Sequence, residues 1–332
     1  MVGILVSELV LDRYGEDLER VATAAELKVE PIVLPMDPEV RLSDEECTRI
    51  EVAFYSLDIL EGPTARSFFS SLYRAPQLSW VHLRPAGVDH PAFSRLLSQG
   101  IRLTNSAGAT AEPIAQSAIA GMLSLARGFP RYAEAQRQHI WDQIDENERP
   151  DLLDQTLLVF GLGAIGSAIA RIGQAVGLHV IGVRRSPWHD GDPVDELLHP
   201  DELMRLLPRT DWLVIACPLS PQTRGLFDAK TLGVLTRGAY VINVGRGPII
   251  DEHALIEALL SGQLGGAYLD VFEEEPLPSE SPLWDMPQVI VTPHNSGASQ
   301  GNNRRSIEIL FANLGRWGRG EPLLNEVHEA GS

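Results

Sequence analysis

The chain has 332 residues, 44% of them apolar and 22% charged. That composition suits a globular protein of two domains; it excludes a disordered chain, and no apolar run approaches the length of a membrane span. The formal net charge of −18, from 27 basic and 45 acidic residues, argues against a nucleic-acid scaffold and against a binder of anionic membranes.

The N-terminus lacks a basic stretch, and Glu8 interrupts its apolar run. Val2–Val6 therefore reads as a first strand and not as a signal peptide, and a cytoplasmic location is expected. A helix is expected at Asp17–Leu27. Strands follow at Pro31–Leu34, Val52–Tyr55, Trp80–Leu83 and Ile101–Leu103. Strands alternating with helical stretches point to a parallel α/β sheet. Cys47 and Cys217 are too far apart for a paired motif, and His189-Asp190-Gly191-Asp192 reads as a polar loop, so neither a disulfide framework nor a metal site is expected.

After Asn105 the pattern changes. Thr110 to about Ile140 is helical, with Pro113 in a first turn and Pro130 expected to break the run. Leu157–Phe160 is a short apolar run suited to a strand buried on both faces. Further strands are expected at Val180–Val183, Trp212–Ala216, Tyr240–Val244, Gly266–Leu269 and Val289–Thr292, with helices at Ser167–Val176, Asp251–Leu260 and Asn303–Trp317. A second, larger parallel domain thus spans about residues 105–292.

Gly161-Leu162-Gly163-Ala164-Ile165-Gly166 is a GxGxxG element between a buried strand and a helix, the context that dinucleotide binding requires. Gly161 serves the tight turn, Gly163 lets the backbone approach a pyrophosphate, and Gly166 lets helix pack on strand. The amides at Ala164 and Ile165 open the helix, where an anion is favoured. An acid at the end of the next strand would bind the ribose 2′-OH of NAD; Arg184, Arg185 and Ser186 stand there instead. Two guanidiniums and a hydroxyl suit a 2′-phosphate, so NADP(H) is the expected preference, with NAD(H) possible. The alternative is a pair of solvated loop arginines.

Three strand ends carry reactive groups. Arg246 lies between glycines just past one strand, with a planar fork suited to a carboxylate or a polarised carbonyl. Asp270 ends the next, followed by Glu273, Glu274, Glu275 and Pro276, where the proline can turn one glutamate inward. His294 follows the last, beside Pro293 and Gly297. Reduction of a 2-oxo acid needs a hydride, a proton and a cation for the carboxylate. A carboxylate beside an imidazole favours the imidazolium, which can act as general acid.

With Ala86-Gly87-Val88-Asp89 and Pro218–Thr223, these motifs resemble the D-isomer-specific 2-hydroxyacid dehydrogenase family, in particular its glyoxylate/hydroxypyruvate reductases. The resemblance implies two Rossmann-like, doubly wound parallel-sheet domains. A substrate domain of residues 1–104 would be discontinuous, rejoined by a C-terminal helix within 293–332, and residues 105–292 would bind NAD(P). It implies that Arg246 holds the substrate, that Glu275 orients and charges His294, and that His294 donates the proton. Asp270 would receive the nicotinamide carboxamide, near Val244 and Gly245. Cys217, Pro218 and Thr223 would lie near the adenosine end, Gly297 near the cofactor, and the backbone of Ala86 and Gly87 would bind the substrate carboxylate. Arg84 stands where small residues are more usual. It would reach a distal polar or anionic substrate group, or form a surface ion pair. The long helical segment would build a homodimer. A different class on the same fold is a nucleotide-sensing corepressor, which can keep the same Arg-Glu-His set. Side-chain preference among glyoxylate, hydroxypyruvate, pyruvate, phenylpyruvate and ketopantoate is not legible in the motifs.

Overall fold

A computed structural model of the chain describes residues 1–327 apart from Ala86, Val88, Asp89, 146–150 and Asp154. Two compact units emerge: Met1–Ala109 with Gln300–Ser332, and Thr110–Ser299. The strands in chain order are β1 (Val2–Ser7), β2 (Val29–Leu34), β3 (Ile50–Tyr55), β4 (Trp80–Leu83), β5 (Arg102–Asn105), β6 (Thr156–Phe160) and β7 (His179–Val183). There follow β8 (Glu196–Leu198), β9 (Trp212–Ile215), β10 (Ala239–Asn243), β11 (Leu264–Leu269), β12 (Val289–Val291) and β13 (Glu326–Val327).

In the smaller unit the sheet order is β13-β5-β4-β3-β1-β2, parallel except for β13, which pairs antiparallel with β5. Arg102 on β5 holds Glu326 on β13 through two hydrogen bonds of 2.6 and 2.9 Å. The first helix runs Glu8–Ala24, nine residues ahead of the expected start. Ser7 decides this: it leaves the strand in extended conformation and its side chain accepts from the Val10 amide, an N-cap directly at the strand end. The C-terminal helix, Asn302–Gly318, buries Ile307, Leu310 and Leu314 against Ile4, Val6, Phe54 and Trp80.

The larger unit has seven parallel strands in the order β12-β11-β10-β9-β6-β7-β8. From its first strand, β6, the chain moves outward through β7 and β8, then crosses to β9 and continues to β12. This is the Rossmann-type doubly wound order, and its switch point lies between β6 and β9. Strands β6, β9 and β10 are buried on both faces, as their apolar runs suggested. The long helical segment is two helices, Ala111–Arg127 and Phe129–Arg137. The break falls at Gly128, in the left-handed region at φ 64°, and not at Pro130, which sits in the first turn of the second helix.

The unit limits fall a few residues beyond the expected 104 and 292. Ser106 stays with the smaller unit because its hydroxyl is bonded to the Leu83 carbonyl (3.1 Å) and to Ser306 (2.6 Å). Residues 293–299 stay with the larger unit because Asp270 and Ser117 bind their backbone.

Candidate active site

The glycine loop links β6 to helix Ala164–Ala175 at the switch point. Gly161 has φ 103°, and a Cβ there would lie 2.5 Å from the Cys217 amide nitrogen; one on Gly166 would lie 2.0 Å from the Gly161 carbonyl oxygen. Both glycines are demanded by the protein's own backbone. A Cβ on Gly163 would meet nothing within 4 Å. The protein leaves that space free, and the helix beginning there has no side-chain cap on its first amides, at Ala164 and Ile165. This fits a pyrophosphate group.

A cavity of about 670 Å³ opens beside this loop, lined by Gly161–Gly163, Arg184–Ser186, Cys217–Pro218 and Thr223 among others. Burial pushes the Cys217 thiol up to about 11, so it is a neutral wall. Thr223 is turned to its own loop: its hydroxyl donates to the Pro218 carbonyl (2.9 Å) and accepts from the Ser220 amide (2.8 Å). The two arginines differ. Arg184 is bonded to both oxygens of Asp192, at 2.7 and 2.6 Å, whereas Arg185 is exposed and makes no ion pair among the described residues. His199 and Asp201 also line this cavity, 3.1 Å apart, and sequence reasoning missed them. They enter after β8, a three-residue edge strand with no apolar periodicity to reveal it. What fixes it is Glu196, held by Arg209 and His179, which together lower its carboxyl to about 2.

The three residues expected to react, Arg246, Glu275 and His294, follow the carboxyl ends of three neighbouring strands, β10, β11 and β12. Arg246 follows β10 after the buried Val244 and Gly245. It is exposed, donates to the Gly245 carbonyl (2.7 Å), and has no carboxylate partner among the described residues. A Cβ on Gly247 would lie 1.8 Å from the Phe272 carbonyl oxygen, so the Arg246 turn is pressed against the loop after β11. Within that loop the Phe272 amide donates to Glu275 Oε1 (3.1 Å), and Glu275 Oε2 lies 2.7 Å from His294 Nδ1. One line of contacts thus joins Arg246, Glu275 and His294. Of the glutamate run, Glu275 is the one on the histidine; Glu273 and Glu252 each donate a backbone amide to the other's carboxylate (3.2 and 3.3 Å).

Asp270, read as the acceptor of the nicotinamide carboxamide, is held within its own unit. It is 3% exposed, and its carboxylate accepts from Thr292 Oγ1 (2.6 Å) and from the amides of Asn295 (2.9 Å) and Ser296 (3.0 Å), and from the Ser296 hydroxyl. It shapes the loop that carries His294, whose backbone is left-handed at φ 49° and whose amide donates to the Asp270 carbonyl (2.8 Å). Gly297 closes this loop against Ile114 and Thr110.

In the smaller unit Arg84 follows β4 and lines a cavity of about 200 Å³ with Ser56, Asp58, Glu61 and Asn303. It forms no ion pair among the described residues, so the surface-pair alternative has no partner there. Gly87 is exposed, and Ala86 lies outside the described residues, as do Val88 and Asp89.

Residues 119–296 match the family model described as D-isomer specific 2-hydroxyacid dehydrogenase, NAD binding domain. A glyoxylate/hydroxypyruvate reductase A from Arabidopsis thaliana is 32% identical over 76% of this chain and 79% of its own length. A D-3-phosphoglycerate dehydrogenase from Methanocaldococcus jannaschii is 30% identical over 77% of this chain, which spans only 48% of that longer protein. The solved structure of an NADPH-dependent glyoxylate/hydroxypyruvate reductase from Sinorhizobium meliloti, in complex with NADP and sulfate, is similar with a TM-score of 0.72. It is 32% identical, over 98% of this chain and 97% of that one.

Proposed function

This chain belongs to the D-isomer specific 2-hydroxyacid dehydrogenase family, a family of NAD(P)-dependent oxidoreductases, and from that premise we propose that it is an NADPH-preferring reductase of small 2-oxo acids. The observation that carries the reading is the 2.7 Å His294–Glu275 contact, joined through Phe272 and Gly247 to an Arg246 that has no carboxylate partner among the described residues.

When bound, the nicotinamide supplies the hydride to the carbonyl carbon, or takes it back. The chain's own residues do the rest. Arg246 holds the substrate carboxylate and polarises the carbonyl. Glu275 occupies His294 Nδ1, which leaves Nε2 to give its proton to the carbonyl oxygen as the hydroxyl forms. In the oxidative direction the neutral imidazole takes that proton back. Asp270 keeps the His294 loop in shape. By the family resemblance the smaller unit is the substrate domain. The loop Gly161–Gly166 takes the pyrophosphate, and the exposed Arg185 supports the 2′-phosphate of NADP(H), with NAD(H) as a weaker cofactor. The likeness to the Sinorhizobium meliloti and Arabidopsis thaliana enzymes puts glyoxylate and hydroxypyruvate first among substrates.

The test is oxidation of NADPH, then NADH, across glyoxylate, hydroxypyruvate, pyruvate, phenylpyruvate and ketopantoate. NADPH-favoured turnover that falls roughly 10²- to 10⁴-fold in His294→Ala, with NADPH affinity unchanged, supports the reading. NADPH binding with no turnover on any acid sinks it in favour of a nucleotide sensor.

A further inference from the structure

The Arg184–Asp192 pair gives the two loop arginines different tasks. A guanidinium has five N–H donors. In Arg184, Nη1 and Nη2 grip Asp192 Oδ1 and Oδ2 at 2.7 and 2.6 Å, Nε donates to the Ser186 carbonyl at 3.2 Å, and Nη2 also donates to the Pro187 carbonyl. Four contacts leave one N–H unspent. Asp192 further accepts from the His189 amide at 2.8 Å, and the two side chains are only 13% and 9% exposed. The pair is close to neutral as a unit and ties together the turn from residue 184 to residue 192. Arg185 and Ser186 are the next two residues on that turn. Both are exposed, both line the cavity beside the glycine loop, and the Arg185 guanidinium has no hydrogen-bond or ion-pair partner among the described residues.

We propose that Arg184 and Asp192 are a positioning pair that braces this turn, and that Arg185 with the Ser186 hydroxyl are the groups that take the ribose 2′-phosphate. A cation already matched to a carboxylate offers little net charge to a second anion; an unmatched one beside a hydroxyl offers a charge-assisted site. Asp192 is then a specificity residue of acidic type that favours the phosphorylated cofactor, because it acts through Arg184 and not on the ligand.

The inference rests on the NADPH reading, and calorimetric titration of the whole protein with NADP⁺ and NAD⁺ separates the two. NAD⁺ affinity reports the fold and the glycine loop; the NADP⁺/NAD⁺ ratio reports the 2′-phosphate alone. Arg185→Ala is expected to weaken NADP⁺ roughly tenfold to a hundredfold, to flatten its salt dependence, and to leave NAD⁺ unchanged. Asp192→Ala and Arg184→Ala are each expected to weaken NADP⁺ by a smaller, similar factor, and the double variant no more than either single one. Asp192→Ala that tightens NADP⁺ overturns the proposal, since a released Arg184 would then be the phosphate ligand. Arg184→Ala that costs as much as Arg185→Ala and flattens the salt dependence equally also overturns it. A wild-type protein with equal affinity for both nucleotides removes the NADPH reading itself, and the proposal with it.

Discussion

Asp270 holds the His294 loop by acceptance alone: Oδ1 takes the Thr292 hydroxyl and the Asn295 and Ser296 amides, and Oδ2 takes the Ser296 hydroxyl. An asparagine keeps the Oδ1 acceptor, and its Nδ2 can donate to Ser296 if that hydroxyl rotates. An alanine takes the acceptor from two amides and two hydroxyls, and each donor left unpaired in this buried site costs about 1–3 kcal/mol. Asp270→Ala is therefore expected to lower both the urea midpoint and kcat, while Asp270→Asn keeps most of each. Equal damage from the two variants would mean that the negative charge, and not the acceptor geometry, matters. The same bonds add a bracing role that the sequence did not show. An acid at a strand end is as good a ligand group as a brace, and only its neighbours tell which.

Two elements carry predictions of their own. In the glycine loop, Gly166 is tight against Gly161 and Gly163 faces open space. Gly166→Ala must shift backbone and is expected to cost about 1–3 kcal/mol of stability. Gly163→Ala is expected to leave stability alone and to weaken NADP⁺ and NAD⁺ by the same factor, because its methyl intrudes only where phosphate sits. Calorimetry and thermal melts of the pair check both arms. At the ends of β4 and β5, buried His82 joins Thr104 through Nδ1 (2.7 Å) and Ser106 through Nε2 (3.2 Å). Trp80 Nε1 already donates to the Thr104 oxygen (2.9 Å), so the Thr104 proton goes to a neutral ring. Burial lowers His82 to about 3 from its usual 6.5. The unfolded chain then binds the extra proton between those values. Stability from this group is whole above pH 6.5 and is lost as pH falls towards 3, by on the order of 4 kcal/mol. Urea midpoints from pH 8 down to pH 4 are expected to fall less steeply in His82→Gln than in the wild type.

For the whole molecule, the residues after Gly128 present Phe129, Ile140 and Trp141 with 59%, 55% and 91% of their surface exposed. Such exposed apolar side chains on a chain of net charge −18 are expected to be covered by a second copy, as the homodimer implied by the family resemblance requires. Light scattering should give twice the chain mass for the wild type and a single mass for the paired variant Phe129→Asp and Trp141→Asp. A wild-type monomer would defeat the dimer reading. Among the described residues no helix is long and apolar enough to cross a membrane.

Much of this was legible because it is local. Apolar runs marked β6, β9 and β10, and the glycine spacing marked the loop and the helix after it. Strand ends marked Arg246 and His294, whereas the family resemblance, not the local sequence, singled out Glu275 from the run of three. Some local signals were overlooked, such as the Ser43–Glu46 capping box that starts the short helix Asp44–Thr48. Other features had no local signal at all. Ser106 meets Ser306 across 200 residues, Asp270 meets Ser296 across 26, and Arg184 meets Asp192 across a turn with no periodicity. Periodicity and turn chemistry depend on neighbours in the chain, and so the residues alone determine most of the elements and mark the candidate groups. Which acid binds a ligand and which braces a loop depends on hydrogen bonds between distant segments, and those bonds exist only once the sheets have brought the segments together.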